Sequence, residues 1–200
     1  MQTSRSPVFK NFEEITKNMR VTANIKKANV KWQKFLNKME TKERSGSRPN
    51  NRYIFWSFIG AFLGIAILAE LTLATHTPLI MAPFGATCVL AYGVFDSPLA
   101  QPRNIIGGHM ISTFIGLVVL HTLGSHPIAM ALGVSLAIVV MQLTKTVHPP
   151  AGADPLVVLA THPPVSFLIL PVAIGAIILV IVALITNNLA SQRRYPKYWW

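Results

Sequence analysis

Residues 144–155 read TKTVHPPAGADP, and this stretch stands between two long apolar runs. Proline lacks an amide donor and pushes the residue before it out of the helical region. His148, Pro149 and Pro150 are therefore predicted to be extended, with a helix beginning near Pro150. At membrane depth, such a break persists only where protein or water covers the freed backbone groups. The stretch thus predicts a broken helix inside a membrane protein.

The distribution of charge separates the chain into three parts. Residues 1–52 hold 13 of the 18 Lys and Arg residues and 4 of the 7 acidic residues. A soluble domain the size of the remainder could not cover its surface with so few charges. We predict a basic arm and linker over residues 1–52, a transmembrane domain over 53–187 and a short basic tail over 188–200.

The apolar segments predict an all-α polytopic protein with four to six transmembrane helices. Four segments approach the roughly 20 residues that cross a bilayer as helix: 53–74, 105–120, 128–143 and 167–186. Lys and Arg concentrate on the cytoplasmic side of membranes. The basic arm and tail are therefore both predicted to lie on the cytoplasmic side of the cell's inner (plasma) membrane. Two termini on one side require an even number of crossings. Six crossings place every Lys and Arg inside; four, with two re-entrant segments, is the alternative.

The two shorter apolar segments resemble each other. PFGAT (83–87) and PAGAD (150–154) share the pattern P-x-G-A followed by a polar residue. Each lies in the middle of three segments, and the two trios start on opposite sides, which predicts an inverted repeat of 3+3 segments. Interrupted segments at corresponding positions of two halves point to the binding site of a transporter. The alternative is a turn between packed helices.

The candidate site residues lie at the two breaks and around them. Free amides at a helix N-terminus, with its partial positive charge, favour small anions. An isolated carboxylate in an apolar run must pair, hold a proton or cap a helix; Asp154 and Glu70 are the candidates for carrying a proton. Arg103 and Lys145 could alternatively be topology anchors. The predicted translocation residues are Pro83, Gly85, Thr87, Arg103, Asn104, His109, Lys145, His148, Pro149, Pro150, Gly152 and Asp154.

Other patterns predict packing and not chemistry. Small residues recur four apart, which lets helices approach closely within a subunit or between subunits; we expect a homo-oligomer formed through these faces. Four histidines fall on the outer side in this topology and show no helical ligand spacing, so neither a metal nor a cofactor is predicted. These outer histidines are His76, His121, His126 and His162. Motifs of hydrolases and nucleotide-binding enzymes are missing from the sequence, so an enzyme ranks last. The small residues are Gly60/Gly64, Gly108/Ser112/Gly116 and Ala129/Gly133/Ala137.

The arm carries apolar residues three to five apart with Lys between them. This pattern predicts one or two amphipathic helices lying on the anionic inner leaflet of the lipid bilayer. We expect no nucleic-acid contact. The apolar positions are Phe12, Ile15, Met19, Ala23, Ala28, Trp32, Phe35 and Met39.

Three motifs in order, APFGATCVL (82–90), SPLAQPRNIIGGH (97–109) and TKTVHPPAGADP (144–155), resemble the HPP family of integral membrane proteins over about residues 53–187. Some members of that family are implicated in nitrite transport. By resemblance, His148, Pro149 and Pro150 form the signature, and the second motif is matched by Arg103, Asn104, Gly107, Gly108 and His109. The resemblance implies a transporter or channel for a small inorganic anion, with nitrite favoured. The alternative is a non-transporting scaffold or sensor that acts through the basic arm.

Overall fold

The computed structural model describes Lys17, Lys27 and residues 29–199. The chain divides into two compact units, Met1–Arg48 and Pro49–Trp200. In the first unit, residues 29–37 are helical and the Trp32 and Phe35 side chains are exposed. The rest of the predicted amphipathic pattern, from Phe12 to Ala28, lies outside the described residues.

The described part of the second unit is helical and contains no strand. Three stretches are long and apolar enough to cross a membrane, Asn51–Thr75, Pro102–Leu123 and Val165–Leu189, and Pro127–Leu143 is a shorter apolar helix. The prediction of an all-α polytopic membrane fold is confirmed. The α-helices are α1 (Asn51–Thr75), α2 (Ala82–Cys88), α3 (Pro102–Leu123), α4 (Pro127–Leu143), α5 (Asp154–Thr161) and α6 (Ile174–Leu189). Short 3-10 or π turns occupy Val89–Gly93, Pro98–Ala100, Pro149–Ala153, Val165–Leu168 and Ile169–Ala173.

Local sequence signals set the ends of the long helices. The Asn50 side chain accepts a hydrogen bond from the Tyr53 amide at 2.8 Å and so caps α1. Pro102 and Pro127 occupy the first turns of α3 and α4, where a missing amide costs nothing. Helix α1 ends at His76, whose φ of 53° reverses the chain direction.

The first broken segment runs back along α1. At one end, the Leu79 amide donates to Thr72 Oγ1 at 3.0 Å, and at the other, Tyr53 Oη donates to the Gly93 carbonyl at 3.0 Å. Residues 77–93 therefore follow α1 in the opposite direction. They are extended first, and the 7 residues of α2 with the 5 of the π turn then complete the pass.

The second broken segment runs along α3 in the same direction as that helix. Arg103 Nη2 donates to the Thr144 carbonyl at 2.8 Å, at the beginning of α3. Beyond its end, Ser125 Oγ donates to the Leu159 carbonyl at 2.6 Å. The chain thus passes along the bundle six times. The two broken passes are antiparallel, as the predicted inverted repeat requires.

The two ends of the second unit lie at the same end of the bundle. Arg193, which follows α6, donates to the Tyr53 carbonyl and, at 2.9 Å, to Ser57 Oγ near the start of α1. This arrangement fits an even number of crossings. Which side of the membrane this end faces stays a prediction.

A labelling experiment tests that orientation. Ser125→Cys, at the far end, should react with an impermeant thiol reagent added to intact cells. Thr144→Cys, at the opposite end and equally exposed, should react only after the cells are opened. The single native cysteine, Cys88, is buried and supplies little background. The reverse labelling pattern would overturn the orientation.

The small residues spaced four apart make room for the broken segments inside the subunit. A Cβ atom at Gly60 would lie 2.6 Å from Tyr92 Cδ1, and one at Gly116 would lie 2.9 Å from Pro155 Cα. A Cβ at Gly133 would lie 3.2 Å from Pro155 Cβ. These faces are therefore occupied within one chain. A homo-oligomer stays a prediction, but it no longer draws support from these faces.

Candidate functional site

Four polar side chains meet where the two broken segments approach each other. Thr87 of α2, His109 of α3, His148 and Asp154 are each 0% exposed. Thr87 Oγ1 lies 2.8 Å from His109 Nε2 and 3.0 Å from His148 Nε2. His109 Nδ1 lies 2.8 Å from Asp154 Oδ2. We refer to Thr87, His109, His148 and Asp154 as the central cluster.

His148 reaches the cluster because the chain before the double proline is extended. Its φ of −135° and ψ of 101° match the conformation predicted for a residue that precedes proline. The prediction of an extended Pro149 and Pro150 is wrong, because both residues lie in the 3-10 turn Pro149–Ala153. The side-chain amide of Asn104 donates to the Val147 carbonyl at 2.9 Å and holds this extended segment against α3. Gly108 permits the close approach, since a Cβ there would lie 2.7 Å from His148 Cβ.

Asp154 lies at the first residue of α5, where a negative charge is favourable near the helix N-terminus. One of its oxygens, Oδ2, contacts His109. The other, Oδ1, is buried without a hydrogen-bond partner among the described residues, as is Thr113 Oγ1 of α3. Asp154 therefore pairs with His109, one of the three outcomes predicted for a carboxylate in an apolar run, and the Thr113 hydroxyl also interacts with this carboxylate.

The half-helix N-termini border an apolar cleft of about 570 Å³. Pro83, Pro149 and Pro150 lack amide hydrogens. The Phe84 amide donates to the Met81 carbonyl and the Ala151 amide to the His148 carbonyl, both at 3.0 Å, so these amides are used within their own first turns. The expectation of free amides facing an anion is wrong for these two residues. The cleft is lined by Ala82, Pro83, Ala86, Val89, Leu90, Pro149, Pro150 and Ala153.

Arg103 and Lys145 lie together at the end of the bundle that also holds Arg193. Beyond its bond to Thr144, Arg103 lines a second cleft of about 470 Å³, together with Thr146 and Trp199. Lys145 is exposed and has a φ of 57°, at the turn that follows α4. Two positive charges thus stand at this end of the bundle, which we refer to as the positive mouth.

The structure brings most of the predicted site residues together, but not all. Pro83, Pro149 and Pro150 border the cleft beside the central cluster. Gly85 and Gly152 face open space, where an added Cβ would meet nothing within 4 Å. Glu70 is exposed on α1, and no contact joins it to the cluster, so the structure separates the two predicted proton carriers.

Sequence reasoning missed the role of Arg193, which it treated only as a mark of the cytoplasmic side. The side chain is 6% exposed. Its guanidinium donates at 2.9 Å to the Tyr92 carbonyl and at 2.9 Å to Asn187 Oδ1, in addition to its bonds with Tyr53 and Ser57. It also lies 4.1 Å from the centre of the Tyr53 ring. A basic residue directly after a span carries no sequence signal that distinguishes such a hub from an anchor.

The cluster holds its histidines by hydrogen bonds and not as a ready metal site. Among the described residues, no group of three or more His, Cys, Asp or Glu side chains is placed to hold a metal ion. The outer histidines serve helix ends instead. His126 accepts from the Ala129 amide at 3.3 Å, and His162, like His76, ends a helix with a positive φ.

Broken, antiparallel passes around a buried polar cluster define a polytopic helical membrane protein of inverted-repeat architecture. A family profile described as HPP, transmembrane region, matches residues 46–196. The chain belongs to the HPP transmembrane family. Two curated transmembrane proteins of Dictyostelium discoideum are each 37% identical to it, one over 178 residues and the other over 171.

The matches to these relatives cover 83% and 80% of this chain but 57% and 60% of theirs. The chain therefore spans less than two thirds of the length of the curated relatives it matches. No solved structure matches the chain.

Proposed function

We propose that the protein is a transporter or channel for a small inorganic anion, with nitrite the favoured substrate. The observation that carries the proposal is the meeting of two antiparallel broken segments at the buried central cluster. Broken helices of inverted repeats place binding sites near the middle of the membrane. Buried ionisable side chains at that depth are costly and accompany function. The resemblance to a family with members implicated in nitrite transport favours nitrite.

The electrostatics of the bundle supports an anion over a cation. Arg103 and Lys145 stand at one mouth, and clefts lined by one sign of charge raise the local concentration of the opposite ion. Toward the cluster, the Asp154 carboxylate lies 2.8 Å from His109 Nδ1, so an approaching anion does not face an isolated carboxylate. The Thr87 hydroxyl and the two imidazoles would donate to an anion by exchanging their present hydrogen bonds.

Uptake into proteoliposomes that contain the purified protein tests the proposal directly. We expect nitrite to enter faster than into protein-free vesicles, with nitrate, formate and bicarbonate as competitors that rank the selectivity. Protein-free vesicles are the essential control, since protonated nitrite crosses bilayers unaided. If none of these anions enters above that background, the scaffold or sensor function replaces transport.

The positive mouth gives a salt-dependent prediction. Lys145→Gln should slow anion uptake at low ionic strength and have a smaller effect near physiological salt, where the screening length is about 8 Å. Lys38→Gln, an identical charge change on the exposed arm, serves as the matched control. Initial uptake rates at several salt concentrations make the comparison. An effect of Lys145→Gln that does not vary with salt would contradict steering by this charge.

A further inference from the structure

We propose that the central cluster binds one proton, which crosses the membrane together with the anion. This inference rests on the proposed function and specifies its coupling: the protein would be a proton–anion symporter. The evidence is the continuous chain of hydrogen bonds through the cluster, which needs one hydrogen more than the neutral imidazoles and an ionised carboxylate can supply.

The chain of contacts has two fixed ends. At one end, His148 Nδ1 lies 2.8 Å from the Leu99 carbonyl, which can only accept, so this nitrogen carries a hydrogen. At the other end, Asp154 Oδ2 contacts His109 Nδ1. Between them, the Thr87 hydroxyl contacts both Nε2 atoms, and it owns a single hydrogen.

Counting hydrogens gives the charge of the cluster. Four contacts join Asp154, His109, Thr87, His148 and the Leu99 carbonyl, and each contact needs one hydrogen between its atoms. With Asp154 ionised and both imidazoles neutral, the side chains supply three hydrogens. One contact would then join two acceptors, which is unfavourable for groups that are fully buried. One added proton completes the chain and makes the cluster neutral overall.

The Pro83 carbonyl strengthens this count. It lies 3.2 Å from Thr87 Oγ1 and is a further acceptor that competes for the single hydroxyl hydrogen. The hydroxyl can therefore satisfy at most one of its three acceptors by donation. An imidazole that donates to Thr87 removes one of those demands, and only the added proton allows this without leaving another contact of the chain between two acceptors.

The elements packed around the cluster contribute no second charge at this depth. Helices α4 and α6 contain no titratable side chain between their first and last residues. Helix α2 contains the buried Cys88 thiol, the π turn after it contains Tyr92, and α3 contains Arg103 in its first turn and His121 in its last. From α1, Glu70 is exposed and makes no contact with the cluster. The proton is therefore governed by Asp154 and the two imidazoles.

The free oxygen of Asp154 supplies the point of exchange. Asp154 Oδ1 has no hydrogen-bond partner among the described residues, although the Thr113 hydroxyl interacts with the carboxylate. This oxygen receives the proton before the anion binds, and the proton then occupies the Asp154–His109 end of the chain. It leaves the cluster after the anion is released on the other side. No bond other than those to hydrogen forms or breaks.

Proton uptake measured beside anion uptake tests the coupling. With a pH-sensitive dye trapped in the proteoliposomes, we expect about one proton to enter per anion, as the count of hydrogen bonds requires. The background from protein-free vesicles is subtracted. Asp154→Asn should abolish the response of uptake to a pH gradient, because the asparagine amide donates to His109 and closes the chain without a proton.

A second pair of variants tests the connection through the hydroxyl. Thr87→Val should also lose the response to the pH gradient, since it removes the atom that joins the two imidazoles. Thr186→Val is the matched control, because its hydroxyl is buried as well but bonds only to the Val182 carbonyl of its own helix at 2.8 Å. Thr186→Val should keep the response.

Nitrogen NMR of the imidazoles tests the proton site without any transport. At neutral pH, one of the two Nε2 atoms, of His109 or of His148, should carry a hydrogen, with assignments from His109→Gln and His148→Gln. Two bare Nε2 atoms would overturn the proton count. Anion uptake without proton uptake would overturn the coupling and leave the proposed function intact. Absence of uptake, with the NMR result as expected, would overturn the proposed function and the coupling together and leave only the proton site.

Discussion

Arg193→Met is expected to lower the unfolding free energy of the purified protein by about 3 kcal/mol, because each buried acceptor that loses its donor costs about 1–3 kcal/mol. The substitution leaves the carbonyls of Tyr53 and Tyr92 and the Asn187 side chain without their donor. For a chain of this size, the loss corresponds to a fall of roughly 10 °C in melting temperature. Thermal unfolding in detergent, followed by size-exclusion chromatography, measures it.

The neighbouring residue supplies the matched control. Arg194 is exposed, and Arg194→Met changes the same charge without removing a buried donor. It should shift the melting temperature by a small amount, since surface substitutions are usually within about 0.5 kcal/mol. Arg193→Lys should recover only part of the loss. A single ammonium group cannot reach all the acceptors that the planar guanidinium of Arg193 contacts. Equal melting temperatures for Arg193→Met and Arg194→Met would refute the role of Arg193 as a hub.

Gly108→Val should lower the unfolding free energy by about 3 kcal/mol, the upper end of the cost of overpacking. A Cβ at this position would lie 2.7 Å from His148 Cβ and 3.0 Å from the Thr146 carbonyl oxygen. The extended segment before the double proline would have to move away from α3. We expect anion uptake to fall together with stability, because His148 would then leave the central cluster.

Gly85→Val provides the comparison at a glycine without close neighbours. Gly85 also lies within a helix, but a Cβ there meets nothing within 4 Å. The unfolding free energy of the Gly85→Val variant should differ from that of the wild type by less than about 0.5 kcal/mol, since glycine and valine differ little in helix propensity. If both variants lose stability equally, the cost comes from the helix and not from the approach of His148.

Several features of the fold were predictable because they follow from local chemistry. Pro149 and Pro150 break the helix and make His148 extended regardless of what surrounds them. The paired P-x-G-A patterns at Pro83 and Pro150 indicated the two broken passes. A carboxylate in an apolar run is costly to bury. This cost indicated that Asp154 would pair, hold a proton or cap a helix, and the structure shows that it pairs.

The identity of each partner was not predictable. Asp154 pairs with His109, which lies 45 residues away, and Thr87 joins two histidines, 22 and 61 residues away. One sequence without its fold holds no record of such distances. The prolines at the breaks lack amide hydrogens, and the Phe84 and Ala151 amides bond within their own first turns. The sequence pattern predicted the breaks but not the use of these two amides.

The sequence by itself determined the class of protein, the breaks in two of its passes and their inverted order, because hydropathy, proline and glycine act through the chain nearest to them. Only the tertiary structure decided that Arg193 is a buried hub, that Glu70 stands apart and that the glycine faces are filled from within. These outcomes depend on which helices meet. Packing between segments distant in sequence selects among arrangements that local preferences leave equal in free energy.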